Sequence, residues 1–143
     1  MKARLWLRIA CVLILIHLLG HAVGHATWDT PEDPDMQEVV DTMIGYETDF
    51  MGATRSMADY FNGYSLIMFF VYAMSICILW FASDFPDSNK AMTRKILYPI
   101  GFAYLAFGVI EFLHFFPFAA AMSLGAGILI LFAITRLRQN AGV

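Results

Sequence analysis

Four long apolar runs, each about as long as a membrane is thick, constrain this chain more than any other feature. They cover about residues 5–25, 61–82, 96–116 and 117–135, and roughly 20 apolar residues in a helix cross the hydrocarbon core of a bilayer. The composition agrees, because 59% of the residues are hydrophobic and only 15% are charged. We therefore predict an all-α fold, a four-helix transmembrane bundle, in which residues 1–143 form a single integral membrane domain.

The distribution of charge predicts how the helices are oriented. Basic residues precede or enter helix 1, lie between helices 2 and 3, and follow helix 4: Lys2, Arg4, Arg8, Lys90, Arg94, Lys95, Arg136 and Arg138. Because Lys and Arg gather on the cytoplasmic side, both termini are predicted to be cytoplasmic. The 26–60 segment has nine acidic residues against one base, Arg55, and is predicted to lie outside. An alternative interpretation treats residues 1–26 as a cleavable secretory signal.

The outer segment has the pattern of an amphipathic helix. Apolar residues recur at roughly helical spacing over 36–51: Met36, Val39, Val40, Met43, Ile44, Phe50 and Met51. Residues 30–32 and 33–35 read Thr-Pro-Glu and Asp-Pro-Asp, and each offers an N-cap followed by proline. Ser56 and Asp59 have the spacing of a capping box that opens helix 2. We predict an amphipathic segment that caps the outer end of the bundle, either as a functional lid or as a connector that buries its own apolar stripe.

All four histidines lie at or near the apolar runs. His17, His21 and His25 recur every four residues, a spacing that places them on one helix face about 6 Å apart. His114 follows three residues after Glu111, the only carboxylate within any of the four runs. Ionisable groups are costly in hydrocarbon and are interpreted by default as a functional site.

Small and polar residues predict which helix faces meet. They are Gly20 and Gly24 on helix 1, Ser65, Tyr72 and Ser75 on helix 2, Gly101, Tyr104 and Gly108 on helix 3, and Ala119, Ser123, Ala126 and Gly127 on helix 4. Small residues let neighbouring backbones approach closely. We therefore predict that helices 1, 3 and 4 pack around a shared polar seam, to which helix 2 adds its own polar residues.

Depth in the membrane predicts which polar groups meet in that seam. Helices 1 and 3 both run outward, so their outer ends place His21, His25, Glu111 and His114 in one layer, with His17 below it. An unpaired carboxylate in hydrocarbon is costly. We therefore expect Glu111 to contact a histidine of helix 1, with His21 as the first choice of partner and His17 as the second.

Three interpretations of this layer are open. In the first, His21, His25, Glu111 and His114 bind a metal ion, for which Zn, Fe and Cu all accept these ligand types. In the second, haem is held by paired histidines, His17 or His21 with His114. In the third, the layer is a structural polar network in an accessory membrane protein that binds lipid, a membrane-protein partner or a second copy of itself.

Other function classes find little support in the sequence. It contains no Ser-His-Asp or Cys-His nucleophile arrangement, so it does not identify an enzyme. It also contains no phosphate-binding loop and no basic nucleic-acid patch, which sets nucleic-acid binding aside.

Three stretches of the sequence carry a resemblance. These are LRIA followed by LIHLLGHAVGH near the N-terminus, MGATRSMADYFNGYSL before helix 2, and EFLHFFPFAAAMSL at the turn between helices 3 and 4. In these stretches the chain resembles a group of small, uncharacterised bacterial four-helix integral membrane proteins. The resemblance implies a bacterial inner-membrane protein of the predicted topology and implies no activity or ligand residues.

Overall fold

A computed structural model describes residues 3–84 and 89–139 and confirms the all-α class. Its elements are α1 (Ala3–Thr27), α2 (Pro34–Gly45), β1 (Glu47–Phe50), β2 (Ala53–Ser56), α3 (Met57–Asp84), α4 (Lys90–His114) and α5 (Pro117–Gln139). Within these described ranges, α1, α3, α4 and the Pro117–Leu137 part of α5 are long and apolar enough to span a membrane. The chain therefore has the helices of a membrane protein.

Two of the long helices begin earlier than their apolar runs, because polar caps extend them. At the start of α3, the backbone N–H of Ser56 donates to Oδ2 of Asp59 (2.9 Å) and the N–H of Asp59 donates to Oγ of Ser56 (3.1 Å). This confirms the predicted capping box. At the start of α4, Oδ1 of Asn89 accepts from the N–H of Met92 (3.0 Å), so the helix begins six residues before the predicted position 96. Because these first turns are polar, a hydropathy pattern does not identify them as part of the helix.

The packing divides the described chain into two compact units. The His17 unit consists of the described residues 3–19, 72–84 and 89–139, and the hairpin unit consists of Gly20–Val71. The His17 unit therefore contains the first part of α1, the last part of α3, and α4 and α5. The hairpin unit contains the end of α1, α2, both strands and the start of α3.

In the His17 unit, α4 and α5 approach each other through glycines. A Cβ added at Gly108 would lie 2.8 Å from the backbone nitrogen of Leu124, and one added at Gly127 would lie 2.9 Å from the backbone nitrogen of Leu105. Both contacts are too short for a side chain of any size. The predicted close approach of these two helices at their small residues is therefore present.

The first part of α1 and the last part of α3 are joined at one end of the His17 unit by ion pairs. Arg4 and Arg8 each place a guanidinium nitrogen near Oδ1 of Asp84, at 3.1 and 3.0 Å. Arg8 also lies over the ring of Trp80, 4.3 Å from its centroid. Between this end and the rest of the unit, the core consists of fully buried aliphatic side chains: Leu7, Ile14, Leu79, Leu97, Ile130 and Ile134.

The hairpin unit corrects the prediction of one helix over residues 36–51. Helix α2 starts at the predicted Asp33 cap, whose side chain accepts from the N–H of Asp35 (3.0 Å), but it ends at Gly45. Residues 47–56 form an antiparallel hairpin in which Phe50 pairs with Ala53. Met51 and Gly52 between them both have positive φ, 50° and 84°, as a two-residue hairpin turn requires. The apolar spacing after Gly45 was that of a strand and a turn.

The expected shielding of the outer apolar stripe is found only in part. Val40 of α2 is buried, but Phe50 is 62% exposed and Met51 is 91% exposed. The expectation that Phe50 is shielded is therefore wrong. The role of the 36–51 segment as a lid stays a prediction.

The close approach predicted at the small residue Gly24 of α1 is absent. A Cβ added there meets nothing within 4 Å.

Candidate functional site

The imidazole of His17 is buried in the His17 unit and is only 6% exposed. Its Nε2 lies 3.2 Å from the hydroxyl of Tyr72, and its Nδ1 lies 3.2 Å from Oγ of Ser123. A neutral imidazole has one N–H donor and one acceptor nitrogen, and a hydroxyl can complement either. Both ring nitrogens are therefore engaged by side chains of other helices.

Glu111 completes this group, which we call the His17 centre (His17, Tyr72, Glu111 and Ser123). Oε1 of Glu111 lies 3.6 Å from Nε2 of His17, and both side chains are buried. Each of the four membrane-long helices thus contributes one polar side chain: α1 His17, α3 Tyr72, α4 Glu111 and α5 Ser123. Because each of these helices contributes one side chain, the His17 centre connects all four of them.

The predicted contact between Glu111 and a histidine of the first helix is present, with His17 as the partner and not the first choice, His21. The depth estimate assumed that helices 1 and 3 end at the same level. In the structure, α1 continues from His17 to Thr27, whereas α4 ends at His114, three residues after Glu111. Glu111 is therefore matched to a histidine farther from its helix end.

Close packing of α4 and α5 positions two members of the centre. Glu111 lies three residues after Gly108, and Ser123 lies one residue before Leu124, which Gly108 contacts. A larger residue at Gly108 would separate the helices at this level. The sequence places Tyr72 and Ser123 on the polar seam, but spacing along the chain assigns neither of them to His17.

His21 and His25 belong to the hairpin unit and have other surroundings. Nε2 of His21 lies 3.0 Å from the backbone carbonyl oxygen of Ser65. Because a carbonyl only accepts, Nε2 faces it as the donor, and Oγ of Ser65 lies 3.1 Å from the same nitrogen. The rings of His21 and His25 both contact Phe69, with centroids 4.9 and 5.5 Å away. Nδ1 of His25 is buried and has no hydrogen-bond partner among the described residues.

The predicted metal and haem ligands divide between the two units. Glu111 is buried in the His17 unit, while His114 at the end of α4 is exposed. Among the residues that the structure describes, no group of three or more His, Cys, Asp or Glu side chains is arranged to hold a metal ion. The metal set of His21, His25, Glu111 and His114 and the haem set of His17, His21 and His114 stay predictions.

A second feature of the His17 unit, which the sequence pattern did not predict, is an apolar groove between α3 and α4. Its volume is about 330 Å³. Its apolar lining consists of Ile78, Phe81, Ala82, Met92 and Ile96, and Asn89 and Thr93 complete it. Helical periodicity could not reveal it, because a groove depends on how far two helix ends diverge and not on the pattern of either helix.

No protein family, curated protein or solved structure matches this chain. The resemblance to small bacterial four-helix membrane proteins therefore stays a prediction, and the function must be argued from the His17 centre and the groove.

Proposed function

We propose that this protein is a lipid-binding accessory protein of the bacterial inner membrane, with both termini in the cytoplasm. The observation that carries the proposal is the apolar groove between α3 and α4. Its volume of about 330 Å³ falls in the range of pockets that hold small ligands, about 300–1,000 Å³. The proposed role is binding and not catalysis.

The lining of the groove favours an acyl chain as its occupant. Phe81 is 63% exposed and Met92 is 54% exposed, and large apolar side chains on a membrane-long helix face lipid. An unfilled space beside such side chains loses their dispersion contacts. A flexible acyl chain restores these contacts without placing a polar group against the aliphatic lining.

The proposed orientation follows from the basic residues at the groove end of the His17 unit. Lys90, Arg94 and Lys95 lie in the first turns of α4, and Arg4 and Arg8 lie at the start of α1. Basic residues at the ends of membrane helices favour the cytoplasmic side. The groove is then in the inner leaflet.

Accessibility of introduced cysteines tests the orientation. In a background in which Cys11 and Cys77 are replaced by serine, we expect a membrane-impermeant thiol reagent added to the outer side to label Glu38→Cys. The same reagent should label Asn140→Cys only after the membrane is opened. Labelling of both positions from one side would contradict the proposed topology.

Filling the groove tests lipid binding itself. We expect Ala82→Trp, which places a large ring in the lining, to lower the amount of phospholipid that remains bound after detergent purification by about tenfold. Native mass spectrometry measures the bound lipid. The matched control is Ala106→Trp, an exposed alanine of α4 outside the groove, which should retain lipid as the unmodified protein does. Equal retention in both variants would overturn the proposal.

In this proposal the His17 centre fastens the helices and does not bind the ligand. Both nitrogens of His17 already have hydroxyl partners, so a metal ion or haem iron would have to displace one of them. Hydrogen bonds between membrane helices each contribute about 0.6–2 kcal/mol. A centre with a partner on every helix is therefore a suitable device to hold the helices in register.

A second candidate function, metal binding, is favoured by one observation in the hairpin unit. His21 and His25 lie one turn apart, and Nδ1 of His25 has no hydrogen-bond partner within the described residues. A nitrogen in that state is a suitable metal ligand.

Elemental analysis and an absorption spectrum test this candidate on protein purified without a histidine tag. Metal binding predicts stoichiometric Zn, Fe or Cu that His25→Gln removes and that His17→Gln does not. A haem-binding protein would show a Soret band instead. Protein that contains neither metal nor haem would overturn the second candidate and leave the lipid proposal in place.

A further inference from the structure

The side-chain amide of Asn89 supplies a hydrogen-bond donor to the lining of the groove. Its Oδ1 accepts from the N–H of Met92 (3.0 Å), which leaves its NH₂ group as the donor. The hydroxyl of Thr93, also in the lining, already donates its proton to the backbone carbonyl of Asn89 (3.0 Å). A ligand group that meets the Asn89 amide therefore needs an acceptor oxygen.

Two lysines of α4 flank the lining. At about 100° per residue, Lys90 and Lys95 each lie roughly 110° from the centre of the face formed by Asn89, Met92, Thr93 and Ile96. Lysine side chains are long enough to reach along an apolar surface while the ammonium group stays at the interface. Arg94 lies roughly 150° from the same centre, on the side of the helix away from the groove.

Asp84, the carboxylate at the end of α3, is bound by Arg4 and Arg8 at 3.1 and 3.0 Å. Lys95 is exposed and forms no ion pair with another residue that the structure describes. Among the described residues, this end of the unit has more basic side chains (Arg4, Arg8, Lys90, Arg94, Lys95 and Arg136) than carboxylates (Asp84).

We propose that the ligand of the groove is an anionic phospholipid, whose acyl chain lies between α3 and α4 and whose headgroup phosphate contacts Asn89 and Lys95. This inference rests on the proposed lipid-binding function and adds the headgroup that the groove selects. Phosphate oxygens are acceptors with a negative charge, which is the complement of an amide NH₂ and an ammonium group.

Competition between two lipids tests the inference. Detergent-solubilised full-length protein is mixed with equal amounts of phosphatidylglycerol and phosphatidylcholine, and native mass spectrometry counts each bound lipid. We expect the unmodified protein to retain the anionic lipid preferentially. Lys95→Gln should lower this preference by about fivefold, the effect of one basic residue near an anionic headgroup.

Arg94→Gln is the matched control, because it removes the same charge from the neighbouring position on the other side of the helix. Its preference should change by less than about twofold, since only charges near the headgroup contribute to the selection. An equal loss in both variants would show a diffuse basic surface and would overturn the assignment of Lys95.

The lipid counts also separate this inference from the proposed function. If the unmodified protein binds both lipids equally and Ala82→Trp loses both, the headgroup assignment fails and the groove remains a lipid site. If Ala82→Trp keeps its lipid, the lipid site itself fails, and the headgroup assignment fails with it.

Discussion

His17 and His21 lie one turn apart on the same helix, yet they have different environments. His17 is buried and contacts side chains of α3, α4 and α5. His21 is only half-buried, and its Nε2 donates to a backbone carbonyl of α3 within the hairpin unit. Equal spacing along a helix shows that two residues share a face, but it does not show that they share a site. The residues from other helices that contact each ring decide that.

The largest expected effect comes from removing each histidine in turn. We expect His17→Leu to lower the free energy of unfolding by about 3 kcal/mol, because it leaves the Tyr72 and Ser123 hydroxyls and the Glu111 carboxyl buried without the imidazole. His21→Leu should cost about 1 kcal/mol, because it removes the interhelical hydrogen bonding to Ser65, while the Ser65 carbonyl keeps its own intrahelical donor. Equilibrium unfolding in mixed micelles measures both.

A double variant sharpens this comparison. Adding Glu111→Leu to His17→Leu should restore part of the lost stability, since replacing both partners of a buried pair by apolar residues is often close to neutral. A larger loss for His21→Leu than for His17→Leu would refute the distinction between the two sites.

Glycine substitutions probe the same contrast through packing. We expect Gly108→Ala to cost about 1–3 kcal/mol, because its methyl group would collide with the backbone of α5 at Leu124. Gly24→Ala, in the hairpin unit, should instead stabilise the protein by about 0.5–1 kcal/mol, since the new methyl group meets open space and alanine is the better helix former. Thermal unfolding in detergent provides the measurement, and changes of the same sign in both variants would contradict it.

The smallest expected effect tests whether the two units open separately. Ser56→Ala removes the reciprocal cap of α3 and should cost about 1 kcal/mol, whereas the exposed Glu38→Ala on α2 should change stability by less than about 0.5 kcal/mol. Amide hydrogen exchange should accelerate within residues 20–71 and stay unchanged in α4 and α5. Equal acceleration in both units would remove the division between them.

Local signals were sufficient for the membrane helices and their caps. Period and length predicted the four apolar helices, and the spacing of Ser56 and Asp59 predicted the capping box, because both depend on residues close together in the chain. The same logic failed over residues 46–51. There the apolar spacing fitted a helix as well as a strand. The structure has a strand, because the chain turns back at Met51 and Gly52 and pairs with the following strand.

The sequence by itself determined which residues are available for a polar site, since His17, Tyr72, Glu111 and Ser123 were all expected on inward faces of apolar helices. Only the tertiary structure decided that Glu111 meets His17, because this depends on the axial offset between α1 and α4 within the His17 unit. The groove between α3 and α4 also belongs to the tertiary structure. The physical reason is the same for the Glu111–His17 contact and for the groove. Periodicity determines the direction of a side chain around its own helix axis. Contacts between helices depend instead on the axial offset and the separation of the helices, which arise only when the helices pack together.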